Sequence, residues 1–176
     1  MARAAKLDLR AFQRELATRL AAKTTAQVEQ SRLGLACAGD QWLIRLADAG
    51  EVIAVPPLAT VPLTKPWYLG VANIRGNLYG VIDLAGFLGR PLEPVTPGAS
   101  LTRMVLFGPR VGELHAGLIV HRVLGLRNLA ELARREAPAD APDWYGARWT
   151  ETNGGVWQEI DLARLAQDPA FLQVGL

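Results

Sequence analysis

Gly76-Asn77-Leu78-Tyr79-Gly80-Val81-Ile82-Asp83-Leu84-Ala85 returns 78 positions later as Gly154-Gly155-Val156-Trp157-Gln158-Glu159-Ile160-Asp161-Leu162-Ala163. The two copies align without a gap from the first glycine onward. Trp67-Tyr68 precedes the first copy and Trp144-Tyr145 the second, with one residue of slippage between pair and turn. Each copy reads as one local unit. Gly76 and Gly154 take the hairpin turn, where a positive φ costs little only for glycine. An apolar strand follows, starting at Leu78 or Val156. Asp83 and Asp161 then stand where strand gives way to a short helix, and a carboxylate there accepts the free N–H groups of the first turn. Both aspartates are therefore read as caps rather than as chemistry. Two copies of such a unit imply two similar small barrels, each too small to be stable alone and so packed on the other.

Outward from the repeat the chain keeps the same character. Short β-type runs lie at Leu33–Cys37, Trp42–Leu46, Val52–Val55, Tyr68–Ile74, Leu78–Leu84, Leu101–Phe107, Leu114–Val120, Val123–Leu126 and Val156–Ile160, separated mostly by Gly, Pro, Asn and Asp. Many short strands with such turns point to an all-β barrel or sandwich. Asn128–Glu136 reads as a short helix capped by Asn128. Leu9, Phe12, Leu16 and Leu20 recur at helical spacing, predicting an amphipathic helix over 7–22 capped by Asp8, followed by a polar linker at Thr24–Gln30. That helix docks either on its own barrel or in a partner's groove. A Pro/Gly-rich link at Pro91–Ser100 places the boundaries: an N-terminal helix and linker over 1–30, a first barrel over 31–98 and a second over 99–176.

Composition narrows the function. Half of the 176 residues are hydrophobic and 20% are charged, as in a folded globular protein. The net charge is only +2, with the basic residues scattered along the sequence, so no duplex-binding stripe is read. Cys37, the one cysteine, excludes an internal disulfide and fits a reducing compartment. No apolar run reaches the length of a membrane span, and the N-terminus lacks a signal-peptide core, so a cytoplasmic protein is expected. Ser31 and Ser100 sit in no nucleophile-elbow pattern. There is no Walker A loop and no HExxH, and no cofactor is implied. His115 and His121 lack an evident third metal ligand. A small barrel can also bind single-stranded nucleic acid through stacked aromatics, and this is the rival reading. Four of the aromatics belong to the Trp-Tyr pairs, however, and repetition in both halves favours packing.

The repeat also separates what both halves need from what only one carries. Arg75, before the first turn glycine, is Asn153 in the second copy. A guanidinium beside a turn is exposed and offers five donors in a rigid fork, which suits a carboxylate on a partner or on the same surface.

The stretch Gly70-Val71-Ala72-Asn73-Ile74-Arg75-Gly76-Asn77-Leu78-Tyr79-Gly80-Val81-Ile82-Asp83-Leu84 resembles the signature of the CheW-like family, Gly-Val-x-Asn-Leu-Arg-Gly followed by an apolar pair, Pro, a second apolar pair and Asp-Leu. Glu51-Val52-Ile53, Pro62 and Trp67 upstream look like the family's, as do Gly117–Val123 and Ile160-Asp161-Leu162 downstream. The resemblance covers about 31–166. It implies two five-stranded SH3-like barrels with a hydrophobic groove between them, and a non-enzymatic adaptor that couples chemoreceptors to a histidine kinase. The implied partners are the kinase regulatory domain, which shares the fold, and the cytoplasmic tip of a methyl-accepting chemoreceptor. Nucleic acid and direct membrane insertion are not implied. Carried across by position, Glu51 and Arg75 are the polar pair of the partner surface, and Asn73 and Gly76 carry its turn. Ile74, Leu78 and Tyr79 flank Arg75 as candidate apolar anchors. Gly80 stands where the family has Pro, His121 where it has Asp, and Ala49 replaces a Val. The N-terminal helix together with the variant Leu78-Tyr79-Gly80-Val81-Ile82-Asp83-Leu84 looks more like the adaptor of the type IV pilus (twitching) chemosensory system.

Overall fold

The computed structural model describes residues 27–91 and 101–176. The helix expected over 7–22, and the Pro91–Ser100 link beyond Pro91, lie outside the described residues. Residues 27–30, expected to be linker, form an exposed helical turn. Ser31 Oγ donates to Gln27 O at 2.7 Å and holds this turn against the first strand.

Eleven strands follow: β1 (Ser31–Cys37), β2 (Asp40–Arg45), β3 (Ala49–Ala54), β4 (Tyr68–Ile74), β5 (Asn77–Asp83), β6 (Arg103–Phe107), β7 (Ala116–Val120), β8 (Arg122–Asn128), β9 (Ala133–Arg135), β10 (Tyr145–Thr150) and β11 (Val156–Ile160). Three short helices are α1 (Leu84–Phe87), α2 (Leu162–Leu165) and α3 (Pro169–Leu172). The strands form two mixed sheets, one ordered β3-β6-β7-β5-β4 and the other β8-β1-β2-β11-β10-β9. The fold is all-β, as expected, with two SH3-like sheets. Neither closes into a hydrogen-bonded ring, and the second has six strands rather than five.

The sheets share one plan. In the first, β4 and β5 form a hairpin, β5 runs parallel to β7, β7 pairs with β6, and β6 with β3. In the second, β10 and β11 form the hairpin, β11 runs parallel to β2, β2 pairs with β1, and β1 with β8. β9 is an added edge. The division between sheets therefore does not fall at 98/99: β1 and β2, the first strands among the described residues, complete the sheet of the last ones. Alternation tells which face of a strand is buried, but not which strand lies beside it.

Within the repeat the expected geometry is present. Gly76 and Gly154 have φ of 89° and 88°. Asp83 accepts from Ala85 N and Asp161 from Arg164 N, both at 3.0 Å. Asp83 N in turn donates to Trp67 O and Asp161 N to Trp144 O, so each cap is tied to its own Trp-Tyr pair. Asp161→Ala should cost about 1 kcal/mol of unfolding free energy and Asp161→Asn only a few tenths, since asparagine keeps the acceptor. Urea denaturation of the two variants measures the difference.

Two cores result. The larger lies between the sheets and takes Leu33, Leu35, Trp42 and Ile44 from one, and Ile82, Val105, Phe107, Leu118 and Val120 from the other. Phe87 sits edge-on to Trp67 at 5.1 Å and tilted on Trp144 at 5.7 Å, so the two repeat tryptophans meet on one ring. The smaller core fills the concave side of the first sheet with Val81, Met104, Leu106 and Ile119. Strands β6 and β7 serve both cores with alternate residues, which is why they read as nearly continuous apolar runs.

Two further elements differ from the sequence reading. Asn128 does cap, accepting from Ala130 N at 3.0 Å, but the helix stops after one 3-10 turn and Ala133–Arg135 becomes strand β9. Good helix formers there yield to an open edge: β9 pairs with β10, itself not expected as a strand. Tyr145-Gly146-Ala147 lacks an apolar run, and β10 is strand because β11 and β9 flank it.

Candidate functional site

Arg75 and Gly76 form the two-residue tip of the β4–β5 hairpin, between the paired residues Ile74 and Asn77. Both have positive φ, 53° and 89°. That is the geometry of a primed hairpin turn, which normally selects Asn or Gly at its first central position. An L-residue with a long side chain costs about 1 kcal/mol or more there. Asn73 helps hold the turn, its Oδ1 accepting from Gly76 N at 2.9 Å.

Glu51 is in β3, at the far edge of the same sheet from β4. The sheet curls so far that Arg75 Nη1 nonetheless donates to Glu51 Oε1 at 2.5 Å. Near the same edge, Ala59 and Val71 exchange backbone hydrogen bonds at 2.8 and 2.9 Å. The Arg75 side chain remains 75% exposed and that of Glu51 48%, so the pair itself contributes about 0–1 kcal/mol. These are the two residues that the family resemblance pairs, and the structure brings them together.

The apolar candidates separate. Ile74 and Tyr79 pack against the smaller core, and Tyr79 lies tilted on His115 at 5.0 Å between ring centroids. Leu78 is 62% exposed. Its neighbours in alternation, Gly80 and Ile82, line a cleft of about 220 Å³ with Tyr68, Leu114 and Phe171, beside the inter-sheet core. Gly80 N donates to His115 O at 2.9 Å. A proline there would lose that bond, and a Cβ would stand 3.2 Å from the Tyr68 ring. The tyrosine and the glycine thus go together. Val52, beside Glu51, is a further exposed apolar residue that the sequence did not single out.

The second sheet carries a counterpart that the sequence also left unread. Arg127 in β8 approaches Glu151, in the β10–β11 turn, with 3.7 Å between Nε and Oε1. Strand β8 occupies the place of β3, so the acid now sits on the hairpin and the arginine on the edge strand. Leu126 and Val156 are exposed around this pair, as Val52 and Leu78 are around the first. The two turns differ in build. The second is a wider loop, with Gly154 N bonded to Glu151 O and Glu151 N to Gly155 O, so Asn153 does not stand in the place of Arg75.

Trp42, Trp144 and Trp157 are buried. Among the described residues no group of three His, Cys, Asp or Glu is placed to hold a metal ion, and no helix is long and apolar enough to cross a membrane. Asp48 is buried, and that burial raises its carboxyl above the usual 3.8 against the opposing pull of Arg45. A raised folded pKa means the native state holds the proton more tightly than the unfolded chain. Its stabilising contribution is present below pH 3.8 and is lost as pH rises through the raised value. Asp48→Asn should therefore gain stability relative to the wild type as pH rises from acid to neutral, read as the difference in urea midpoints.

Residues 32–170 match the CheW-like domain family. Protein PilI of Pseudomonas aeruginosa is 36% identical over 168 residues, covering 93% of this chain and 90% of that one. A probable chemotaxis protein CheW of Rhizobium etli is 24% identical over 123 residues, 70% of this chain and 76% of that one. The crystal structure of the scaffolding protein TtCheW from Thermoanaerobacter tengcongensis superimposes with a TM-score of 0.62 at 18% identity, covering 75% of this chain and 88% of that one. Twin sheets built on one plan, a turn-and-cap repeat, a family match over residues 32–170 and a relative matching along 93% of the chain agree: the chain belongs to the CheW-like domain family, a family of non-catalytic adaptors.

Proposed function

We propose that this chain is the adaptor of a type IV pilus (twitching) chemosensory system, coupling a methyl-accepting chemoreceptor to a histidine kinase at membrane-associated arrays in the cytoplasm. The observation that carries this is the tip of the first hairpin. An arginine is kept in a left-handed turn position where glycine would cost less, and the exposed ion pair it gains is worth no more than that cost. Backbone strain kept at an exposed site is a motive for looking to function.

Glu51, Asn73, Ile74, Arg75, Gly76, Leu78 and Tyr79 form the partner surface in this reading. Arginine anchors it and Leu78 supplies the exposed apolar contact, the usual composition of an interface centre. The kinase regulatory domain, itself a pair of such barrels, docks there sheet edge to sheet edge. The receptor tip is helical and suits the apolar cleft beside Ile82 and Phe171. An adaptor needs two faces at once, and the curled edges at Arg75 and Arg127 offer two of similar shape and opposite polarity. The identity with Protein PilI supports the pilus branch of the family.

The test is a titration of the full chain against the regulatory domain of the associated kinase and against a receptor-tip fragment. Saturable binding of both at once supports the proposal. Binding of neither, with a salt-dependent shift on a single-stranded oligonucleotide, overturns it in favour of a nucleic-acid barrel.

A further inference from the structure

The basic residues that look scattered in sequence are gathered by the second sheet. β1 and β2 set Arg32 directly opposite Arg45, and β9 and β10 set Arg135 opposite Arg148. Like charges opposite one another on neighbouring strands repel. Arg32, Arg45 and Arg134 converge on a cleft of about 620 Å³ at the end of this sheet, with Arg164 at its rim.

The donors there are unequally used. Arg32 is satisfied: its Nε bonds Glu159 Oε1 at 2.6 Å and its Nη1 bonds Glu29 O at 2.7 Å. Glu159 is satisfied too, its other oxygen accepting from Trp149 Nε1 at 3.1 Å. Arg164 bonds Asp143 O at 3.1 Å. Arg45 is different. Its Nε is buried with no acceptor, and its one acidic neighbour, Asp48, stands 3.6 Å from Nη1. Arg134 makes no ion pair among the described residues. Buried donors in folded proteins almost always have an acceptor, and one that lacks it beside an open cleft points to an acceptor supplied from outside. Four carboxylates line the same cleft: Glu159 and Asp161 are engaged by Arg32 and Arg164, Asp48 stands near Arg45, and Glu136 makes no ion pair among the described residues.

We propose that this cleft is a binding site for a small oxyanion, a carboxylate or phosphate group, held by Arg45 and Arg134. The guanidinium fork matches either group in two-point fashion, and the low exposure of the Arg45 Nε strengthens its bond to a charged acceptor. Trp149 and Tyr145 line the same cleft and give room for an apolar or planar body attached to the anion. The site lies on the second sheet, away from the β4–β5 hairpin, and does not depend on the adaptor reading.

Calorimetric titration of the full chain with inorganic phosphate and with succinate, at fixed ionic strength, tests it. Saturable binding with a Kd of about 1 mM or tighter is expected for at least one of them. Binding of phosphate alone, or of succinate alone, identifies which oxyanion the cleft takes. Arg45→Gln should weaken binding about tenfold or more. Arg134→Gln, on an exposed edge strand where folding is not at stake, should weaken it severalfold, and Glu136→Gln should tighten it. No saturable heat with either anion up to about 50 mM, or binding unchanged in both arginine variants, overturns the proposal.

Discussion

On the adaptor proposal, Arg75→Glu is expected to weaken binding to the kinase regulatory domain by about a hundredfold or more, while unfolding free energy stays within about 1 kcal/mol of the wild type. The two expectations come from different parts of the same geometry. Three-quarters of the side chain is in solvent, and its one ion pair is exposed, so little stability rests on it. Glutamate also pays no more than arginine for a left-handed position. At the surface, however, the change sets a second carboxylate beside Glu51 and reverses the sign that a docking partner meets. Like charges across an interface suppress association strongly.

Two companion variants separate docking from folding. Arg75→Gly should melt at or above the wild-type temperature, because glycine relieves the turn, yet still lose binding. The charge swap Glu51→Arg with Arg75→Glu restores an internal ion pair and should not restore binding. Recovery by the swap would mean that the pair matters only for shaping the hairpin.

Glu159→Ala is the change expected to damage the fold most, by about 3–5 kcal/mol, or on the order of 10 °C in melting temperature. Its carboxylate bonds Arg32 on one oxygen and Trp149 on the other, on the concave side of the second sheet. The side chains of Arg32 and Glu159 are 8% and 12% exposed. Removing the acid leaves a largely buried guanidinium without the carboxylate bonded to it, and that desolvation dominates the cost. The intact pair is a different quantity. Replacing both partners by apolar residues, Arg32→Met with Glu159→Leu, should restore most of the loss, since a buried pair is worth little more than well-packed hydrocarbon of its size. Urea titrations with unchanged m-values read both numbers. A Glu159→Ala variant within about 1 kcal/mol of the wild type would show that water reaches Arg32 freely.

Among the described residues, the smaller core of the first sheet holds no such ion pair. Val81, Met104, Leu106 and Ile119 fill it, and Gly117 leaves space for the Met104 side chain. Two units on one plan thus differ inside: one is packed with hydrocarbon, the other is polar and opens on a cleft. The difference was not legible from Arg32 and Glu159 individually, which lie at opposite ends of the chain.

What the chain alone determined was local and repeated. The turn glycines, the apolar strands after them, the capping aspartates and the Trp-Tyr pairs each act within a few residues, so composition and spacing were enough to read them. The pairing of Glu51 with Arg75 was accessible only through family resemblance. Tertiary structure decided the rest. It sent β1 and β2 to the sheet of the last strands, drew Ala133–Arg135 out of a helix onto an open edge, matched Arg127 with Glu151, and gathered arginines from β1, β2 and β9 around one cleft. Side-chain alternation says which way a strand faces and nothing of its neighbour, and every one of these outcomes depends on which strand lies beside which.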